Sequence, residues 1–255
     1  MTAHTFTTPT GLGVPAVTTA QMREVDRVAV EEVGPTLLQM MENAGRNLAE
    51  LCIQQLGIQE LGTMWTDRPV LIAAGTGGNG GGGMCAARHL LNHGGRVTIV
   101  VTDQTRLTAA AAQQLALVRA AGGRVVDIDD MGETQPDLIV DAVLGYSLTG
   151  APRGAAEELI SWMESMRAPV VALDVPSGVE ATTGEAWGRF VRATTTMTLA
   201  LPKSGLDSPA VGRLLLADIG IPREVYRRVG VDVPRAMFTD GYRVALTPGA
   251  HSAQS

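Results

Sequence analysis

The feature that most constrains this chain is a series of short, almost wholly apolar runs. Each has glycine or aspartate at or just beyond its end, and most alternate with helix-like stretches. VLIAA (Val70–Ala74), VTIVV (Val97–Val101), Leu138–Val140 and Val170–Leu173 follow this rule. A strand with one face in water alternates apolar and polar residues. A strand apolar on both faces must be covered on both. Runs of this length separated by helical segments therefore call for a mostly parallel sheet between two helical layers. With right-handed crossovers, the expected fold is a doubly wound α/β sheet, a Rossmann-like three-layer sandwich.

The remaining elements fit this frame. Thr19 is expected to cap a helix from Ala20, with Met22, Val25, Val28 and Ala29 at helical spacing. Gly34-Pro35 breaks it, and Thr36 starts a second helix with an apolar stripe from Leu37 to Cys52. Further helices are expected over about 84–93, 109–121 and 155–166, and Pro222 opens a short one. Short strands are expected at 125–128, 194–201 and 213–217. Residues 1–16 read as a disordered lead-in, 17–246 as a single domain and 247–255 as a disordered tail.

Composition narrows the function. The chain has 255 residues, 45% of them hydrophobic, enough for one large core. Twenty basic residues stand against 26 acidic ones, a net charge of −6, so no electrostatic footprint for nucleic acid is visible. No stretch approaches ~20 consecutive apolar residues, which argues against a membrane span. The first residues lack the order of a secretory signal or a transit peptide. Cys52 and Cys85 lie in apolar, helix-like contexts and read as reduced, buried small hydrophobes. His4, His89, His93 and His251 show no metal-ligand spacing with them, so zinc chemistry is not expected. A cytoplasmic protein acting on a small molecule is the default.

In an open α/β sheet, ligands sit beyond the carboxyl ends of the strands, near the switch in strand order. Four such ends stand out. The first is the glycine run Gly75–Gly83, between VLIAA and a helix. Its backbone can approach a ligand closely, and the helix start that follows suits phosphate. Asn79 and Thr76 are its hydrogen-bonding side chains, and Asp103 stands where a ribose-binding acid would be expected. A flexible surface loop is the plainer alternative. The second is Asp141, costly at the end of a buried strand unless paired, liganded or wet. The third is Asp174, in LDVPSG, a good general acid/base position with Ser177 just beyond. For both aspartates the plainer alternative is a helix cap. The fourth is Lys203, which would neutralise a phosphate, pair with an aspartate, or simply lie in solvent. Glu42-Asn43 is a weaker candidate on the polar side of its helix.

These residues, in order, carry a resemblance. TTAQMREVDRVAVEE, LLQMMENAG, the glycine run with AARHL after it, DAVLG, LDVPSGVEATTG, LPKSGL and LLLADIGIP lie in register from about Val17 to Val229. The chain resembles the N-terminal, Rossmann-like domain of the YjeF family, the NAD(P)H-hydrate epimerases. The resemblance implies interconversion of the two epimers of hydrated NADH or NADPH, with the dinucleotide as substrate rather than cofactor. It implies one potassium ion per subunit, held by Asn79, Asp141 and a backbone ligand from Ser177. It assigns substrate contacts to Gly78, Asn79, Gly80, Gly81 and Gly82. Gly145, Tyr146, Ser147, Leu148, Thr149, Gly150 and Ala151 would line the substrate phosphates. Asp174 would contact the substrate as acid/base, with Lys203 beside it. A homodimer through the N-terminal helices is common in the family. The chain departs from the family's G-x-G-N-N-G-G-D-G loop at Gly78, where the pattern has Asn, and at Gly82, where it has Asp. Two other readings stand beside this one: a catalytically degenerate nucleotide- or protein-binding module, and an acid/base enzyme for a different small molecule.

Overall fold

The computed structural model describes residues 5–57, 64–131 and 134–249. A ten-stranded sheet runs through it. Its central strands are β3 (Val70–Ala74), β4 (Val97–Val101), β5 (Arg124–Val126), β6 (Leu138–Ala142), β7 (Val170–Leu173), β8 (Thr195–Leu199) and β9 (Arg213–Ala217). They lie in the order β9-β8-β7-β6-β3-β4-β5, all parallel. From β3 the chain first winds through β4 to β5, then returns to β6 on the other side of β3 and winds outward to β9. The switch in strand order therefore falls between β3 and β6.

Helices cover both faces. α2 (Leu37–Gly57), α3 (Gly78–Asn92) and α4 (Ala109–Ala120) pack on one face, where Leu48, Cys52, Met84, Leu90 and Val118 meet Val70, Ile72 and Ala74 of β3. α5 (Ala155–Ser165) packs on the other, its Leu159, Ile160 and Met163 against Leu71 and Ala73. The alternate residues of β3 thus enter different cores, which is why its sequence is apolar without interruption. A third cluster joins α1 (Thr19–Val28) and α6 (Arg223–Arg228) to the β9 end of the sheet.

Several boundaries differ from the sequence expectation. α1 is capped by Thr18, not Thr19: Thr18 and Gln21 form a reciprocal capping box. α1 passes into one wide turn of helix, Ala29–Val33, that ends at Gly34 with φ 123°. The strand expected at 125–128 is Arg124–Val126, and Ile128–Asp130 forms a single tight helical turn instead.

The expected lead-in is a correction. Thr5–Thr7 (β1) and Gly13–Pro15 (β2) form an antiparallel hairpin, and β1 pairs with β10 (Arg243–Pro248). β10 pairs antiparallel with β9 and reaches into the expected tail. The Thr-rich composition hid two inward residues. Phe6 and Val14 sit opposite one another, both fully buried. Burying a side chain of this kind contributes roughly 1.5–3 kcal/mol, enough to hold a short edge strand. Residues 1–4 and 250–255 lie outside the described residues.

Candidate active site

The site is built beyond the carboxyl ends of β3 and β6, where the strand order switches. The glycine run is not a loop before a helix: α3 starts at Gly78, so Gly78–Gly83 form its first turns. Glycine is a poor helix former, and packing overrides that preference here. A Cβ on Gly80 would lie 1.9 Å from the Gly75 carbonyl oxygen, and one on Gly83 would lie 2.5 Å from the Ala142 Cβ. The helix therefore rests directly on the strand ends. Gly78 differs, because no atom lies within 4 Å of where its Cβ would be.

This close packing leaves a cavity of about 760 Å³ over the strand ends. Gly75–Asn79 and Gly82 form one wall, Val143–Ser147 a second, and Leu173, Asp174 and Lys203 the floor. Met22 and Asp26 of α1 close it from above, with Asp103, Arg106 and Arg153 also on its wall. The volume lies in the range of small-molecule sites. The unpaired N–H groups of the first turn of α3 border the cavity and suit an anionic group.

Asp174 and Lys203 meet at the floor. The Lys203 Nζ donates to Asp174 Oδ1, to the Leu199 carbonyl at 3.0 Å and to Thr198 Oγ1 at 3.3 Å. Both side chains are almost wholly buried. Of the roles open to Lys203, the structure gives it the aspartate partner. Asp174 Oδ2 accepts the Tyr146 backbone N–H at 3.0 Å. Asp174 has φ 70°, and Ala200, beyond the neighbouring strand, has φ 64°. Left-handed backbone costs a non-glycine residue about 1–3 kcal/mol and marks positions where the fold imposes a geometry. Here it turns the Asp174 carboxylate off the end of β7 and into the cavity.

Asp141 behaves differently. Its carboxylate is fully buried and does not line the cavity. It accepts the Ser177 N–H at 2.7 Å, the Ser177 hydroxyl at 2.6 Å and the Val143 N–H at 3.3 Å. Burial, the largest influence, raises its pKa to about 6, against the lowering effect of those hydrogen bonds. Ser177 Oγ also accepts the Leu144 N–H at 2.8 Å, which ties the loop after β6 to the turn after β7.

The structure thus brings Gly78, Asn79, Gly82, Gly145, Tyr146, Ser147, Asp174 and Lys203 together around one cavity. Gly80 and Gly81 lie buried beneath it, and Leu148, Thr149, Gly150 and Ala151 lie off its wall. Asp103, on the wall, spends one carboxylate oxygen on the Thr105 N–H and hydroxyl, at 2.8 and 2.6 Å. Asn43 donates to the Ile219 carbonyl at 3.1 Å, a packing role. Sequence reasoning missed Asp26, whose Oδ2 accepts the Tyr146 hydroxyl at 2.6 Å. The available signal was its place two helical turns after Thr19, on one face of α1.

One cluster lies away from the cavity. Glu42, Cys85 and His89 gather within 4.8 Å, which the histidine and cysteine spacing did not suggest. Arg88 occupies the same place, 2.5 Å from Glu42 Oε2 and 3.3 Å from Cys85 Sγ. Its guanidinium supplies the positive charge there, and the group clamps α2 to α3. Cys52 and Cys85 are free and buried.

Residues 37–205 match the sequence family described as YjeF-related protein N-terminus. This chain belongs to that family. It is 49% identical to the NAD(P)H-hydrate epimerase of Dehalogenimonas lykanthroporepellens, over 95% of this chain and 97% of that one. It is 36% identical to the bifunctional NAD(P)H-hydrate repair enzyme Nnr of Salinibacter ruber, over 84% of this chain but 42% of that longer protein. The crystal structure of yeast ynu0 shares the fold, with a TM-score of 0.75 at 24% identity, covering 92% of this chain and all (100%) of that one. The family match runs from the first turn of α2 to just past Lys203, and so includes every wall of the cavity except α1, Ile219 aside.

Proposed function

We propose that this chain interconverts the two epimers of hydrated NAD(P)H. The observation that carries the reading is the buried Asp174–Lys203 pair, which presents a carboxylate to a cavity at the switch in strand order. The full-length likeness to a named epimerase supports it.

The chemistry fits a single carboxylate. The carbon to be inverted carries a hydroxyl beside the ring nitrogen. Its bonds to oxygen and nitrogen are both labile, because either heteroatom can expel the other. Inversion needs a proton removed from or delivered to that oxygen, with the ring held while the carbon is planar. Asp174 Oδ2 is the atom we assign to that transfer. Lys203 holds Oδ1 and balances the charge, and the Tyr146 N–H fixes the carboxylate plane. General acid/base catalysis of this kind supplies ~100- to 10,000-fold, and positioning by the two walls adds to it. The first turn of α3 and the Gly145–Ser147 turn would hold the dinucleotide phosphates.

The donor set also suits potassium. Asp141 is a buried carboxylate whose hydrogen-bond partners are all neutral. The Asn79 Nδ2 is a buried polar atom with no partner among the described residues. Exchanging the amide O and N, indistinguishable in position, would place an acceptor there instead. The Ser177 carbonyl accepts Val191 N–H at 2.8 Å and keeps a second lone pair. Asn79, Asp141 and Ser177 would therefore hold the ion through oxygen, and the ion would supply fixed positive charge beside Asp141. Two free, buried thiols suit a reducing compartment, and we place the protein in the cytoplasm.

The test is direct. Purified protein, in potassium chloride, is mixed with one hydrate epimer, and exchange into the other is followed by NMR or chromatography. Acceleration over the uncatalysed rate is expected. An unchanged rate, with the nucleotide still bound in calorimetry, would replace this reading with a binding module.

A further inference from the structure

Asp26 is a partly buried carboxylate that the reaction above leaves without a task. It shares one face of α1 with Thr19 and Met22, and that face covers Tyr146. The Tyr146 hydroxyl donates to Asp26 Oδ2 at 2.6 Å, and the Thr19 hydroxyl donates to the Tyr146 carbonyl at 3.4 Å. α1 therefore holds Tyr146 by its side chain and by its backbone. On its far side Tyr146 serves the reacting pair twice. Its N–H binds Asp174 Oδ2, and its ring centroid lies 5.5 Å from the Lys203 ammonium.

We propose that Asp26 is a positioning residue for the epimerisation. It forms a latch with Tyr146 that fixes the Gly145–Ser147 turn and, through the Tyr146 N–H, the Asp174 carboxylate. The inference rests on the epimerase reading of this site. The physical need is clear. The turn begins with a glycine and carries an exposed serine, and just before it the chain is anchored by Ser177 on Leu144. Without the phenol bond the turn keeps only the Ser177 bond at Leu144 and the long 3.4 Å bond from Thr19 to hold the Tyr146 N–H against Asp174, and a preorganised site requires a carboxylate fixed to within ~0.5 Å. A hydrogen bond from a phenol to a partly buried carboxylate is charge-assisted and among the stronger side-chain contacts. Burial pushes the Asp26 carboxyl above its ordinary range, while Tyr146 and Lys203 pull it back and Asp174 adds to the rise. The latch thus sits in the same electrostatic neighbourhood as the reacting pair.

Four variants test it: Asp26→Asn, Asp26→Ala, Tyr146→Phe and the double Asp26→Ala/Tyr146→Phe. Asparagine keeps an acceptor for the phenol but removes the charge. The latch predicts that Asp26→Ala and Tyr146→Phe each lower kcat about tenfold with KM little changed, the cost of one charge-assisted hydrogen bond expressed in turnover. The double variant is expected to be no slower than the worse single variant. Asp26→Asn is expected to stay within about threefold of wild type, since an amide oxygen accepts the same bond. If Asp26→Asn is as slow as Asp26→Ala, or if the single losses multiply in the double variant, the latch is wrong. Should Asp26→Ala not fold, the contrast between Tyr146→Phe and Asp26→Asn decides.

A second readout needs no substrate. The chain has three tyrosines, so protein labelled with 13Cζ-tyrosine gives a simple spectrum. The resonance missing from Tyr146→Phe is expected to move in Asp26→Ala and to stay near its wild-type position in Asp26→Asn. No movement in Asp26→Ala would overturn the latch. If wild-type protein fails to exchange the epimers, the epimerase reading falls, and this spectrum still reports whether the latch exists.

Discussion

Ser177 gives Asp141 both of its donors, the backbone N–H to one carboxylate oxygen at 2.7 Å and the hydroxyl to the other at 2.6 Å. The turn after β7 is thereby bonded to the end of β6, and the carboxylate is sealed from water. These neutral donors do not offset burial, which leaves the Asp141 pKa near 6 rather than at the ordinary 3.8.

The sign of the pH dependence follows. Between about pH 4 and pH 6 the folded chain keeps a proton on Asp141 that the unfolded chain has lost. Stability from this group is complete below pH 4 and falls as pH rises through 6. The difference corresponds to about 3 kcal/mol, or several degrees in melting temperature. A bound monovalent cation would remove the penalty of the ionised form. Potassium chloride, compared with choline chloride at equal ionic strength, is therefore expected to raise the melting temperature at pH 7.5 and not at pH 4.5. Asp141→Asn should abolish the potassium effect at pH 7.5. A thermal shift that ignores potassium at pH 7.5 would remove the ion from the site.

Asp174→Asn separates chemistry from scaffold. The amide keeps the shape and an acceptor for the Tyr146 N–H, yet cannot shuttle a proton. Epimer exchange is expected to fall about 100-fold or more. Lys203 loses the counter-charge of a buried pair, so the melting temperature should drop as well, by the equivalent of up to about 3–5 kcal/mol. Circular dichroism at 25 °C should still report the folded sheet. Exchange at the wild-type rate would show that another group moves the proton.

The parts of this molecule legible in its sequence are those where burial leaves a compositional mark. VLIAA and VTIVV are apolar on both faces because both faces are covered, and their bounds match β3 and β4 residue for residue. Asp141, Asp174 and Lys203 stood out because charge at the end of such a run needs a partner. The start of α3 was not legible. Propensity assigns a run of glycine to a loop, and only the position of Ala142 and Gly75 beneath it shows why glycine is required in a helix. β1 and β10 were hidden for the opposite reason. As strands at the edge region of the sheet they carry Thr and Arg, and their pairing is long-range. Asp26 was passed over because its helical face gives no reason for a carboxylate until its partner, Tyr146, far along the chain, is placed against it.

Gly78 offers a gain rather than a loss. It is exposed, occupies the first turn of α3, borders the cavity and has room for a side chain. Gly78→Asn restores the residue of the family pattern beside Asn79. The fold should tolerate it, with stability unchanged or raised by about 0.5 kcal/mol as glycine leaves a helix. One added hydrogen bond to the substrate should lower KM about three- to tenfold. Steady-state kinetics on both hydrates would check this, and a raised KM would mean that the open space at Gly78 is itself part of the binding surface.

Gly83 tests the packing beneath the site. A Cβ there would lie 2.5 Å from the Ala142 Cβ and 3.2 Å from Ile72 Cγ2, both held in the rigid centre of the sheet. Neither atom has a rotamer to move into, because alanine has none and the Ile72 side chain is fully enclosed. α3 must therefore lift from the strand ends, and overpacking of this kind costs about 1–3 kcal/mol. Helix propensity acts the other way, favouring alanine by up to about 1 kcal/mol and by less at the first residue of a helix, so the Gly78→Ala control should be slightly stabilised. Opposite shifts in denaturant midpoint for these two substitutions, with equal slopes, would establish that α3 is seated on β6. The lift in Gly83→Ala also moves the wall that carries Asn79 and Gly82, so epimer exchange should fall together with stability. A variant that loses stability but keeps wild-type kcat and KM would place the binding wall on the Gly145–Ser147 side alone.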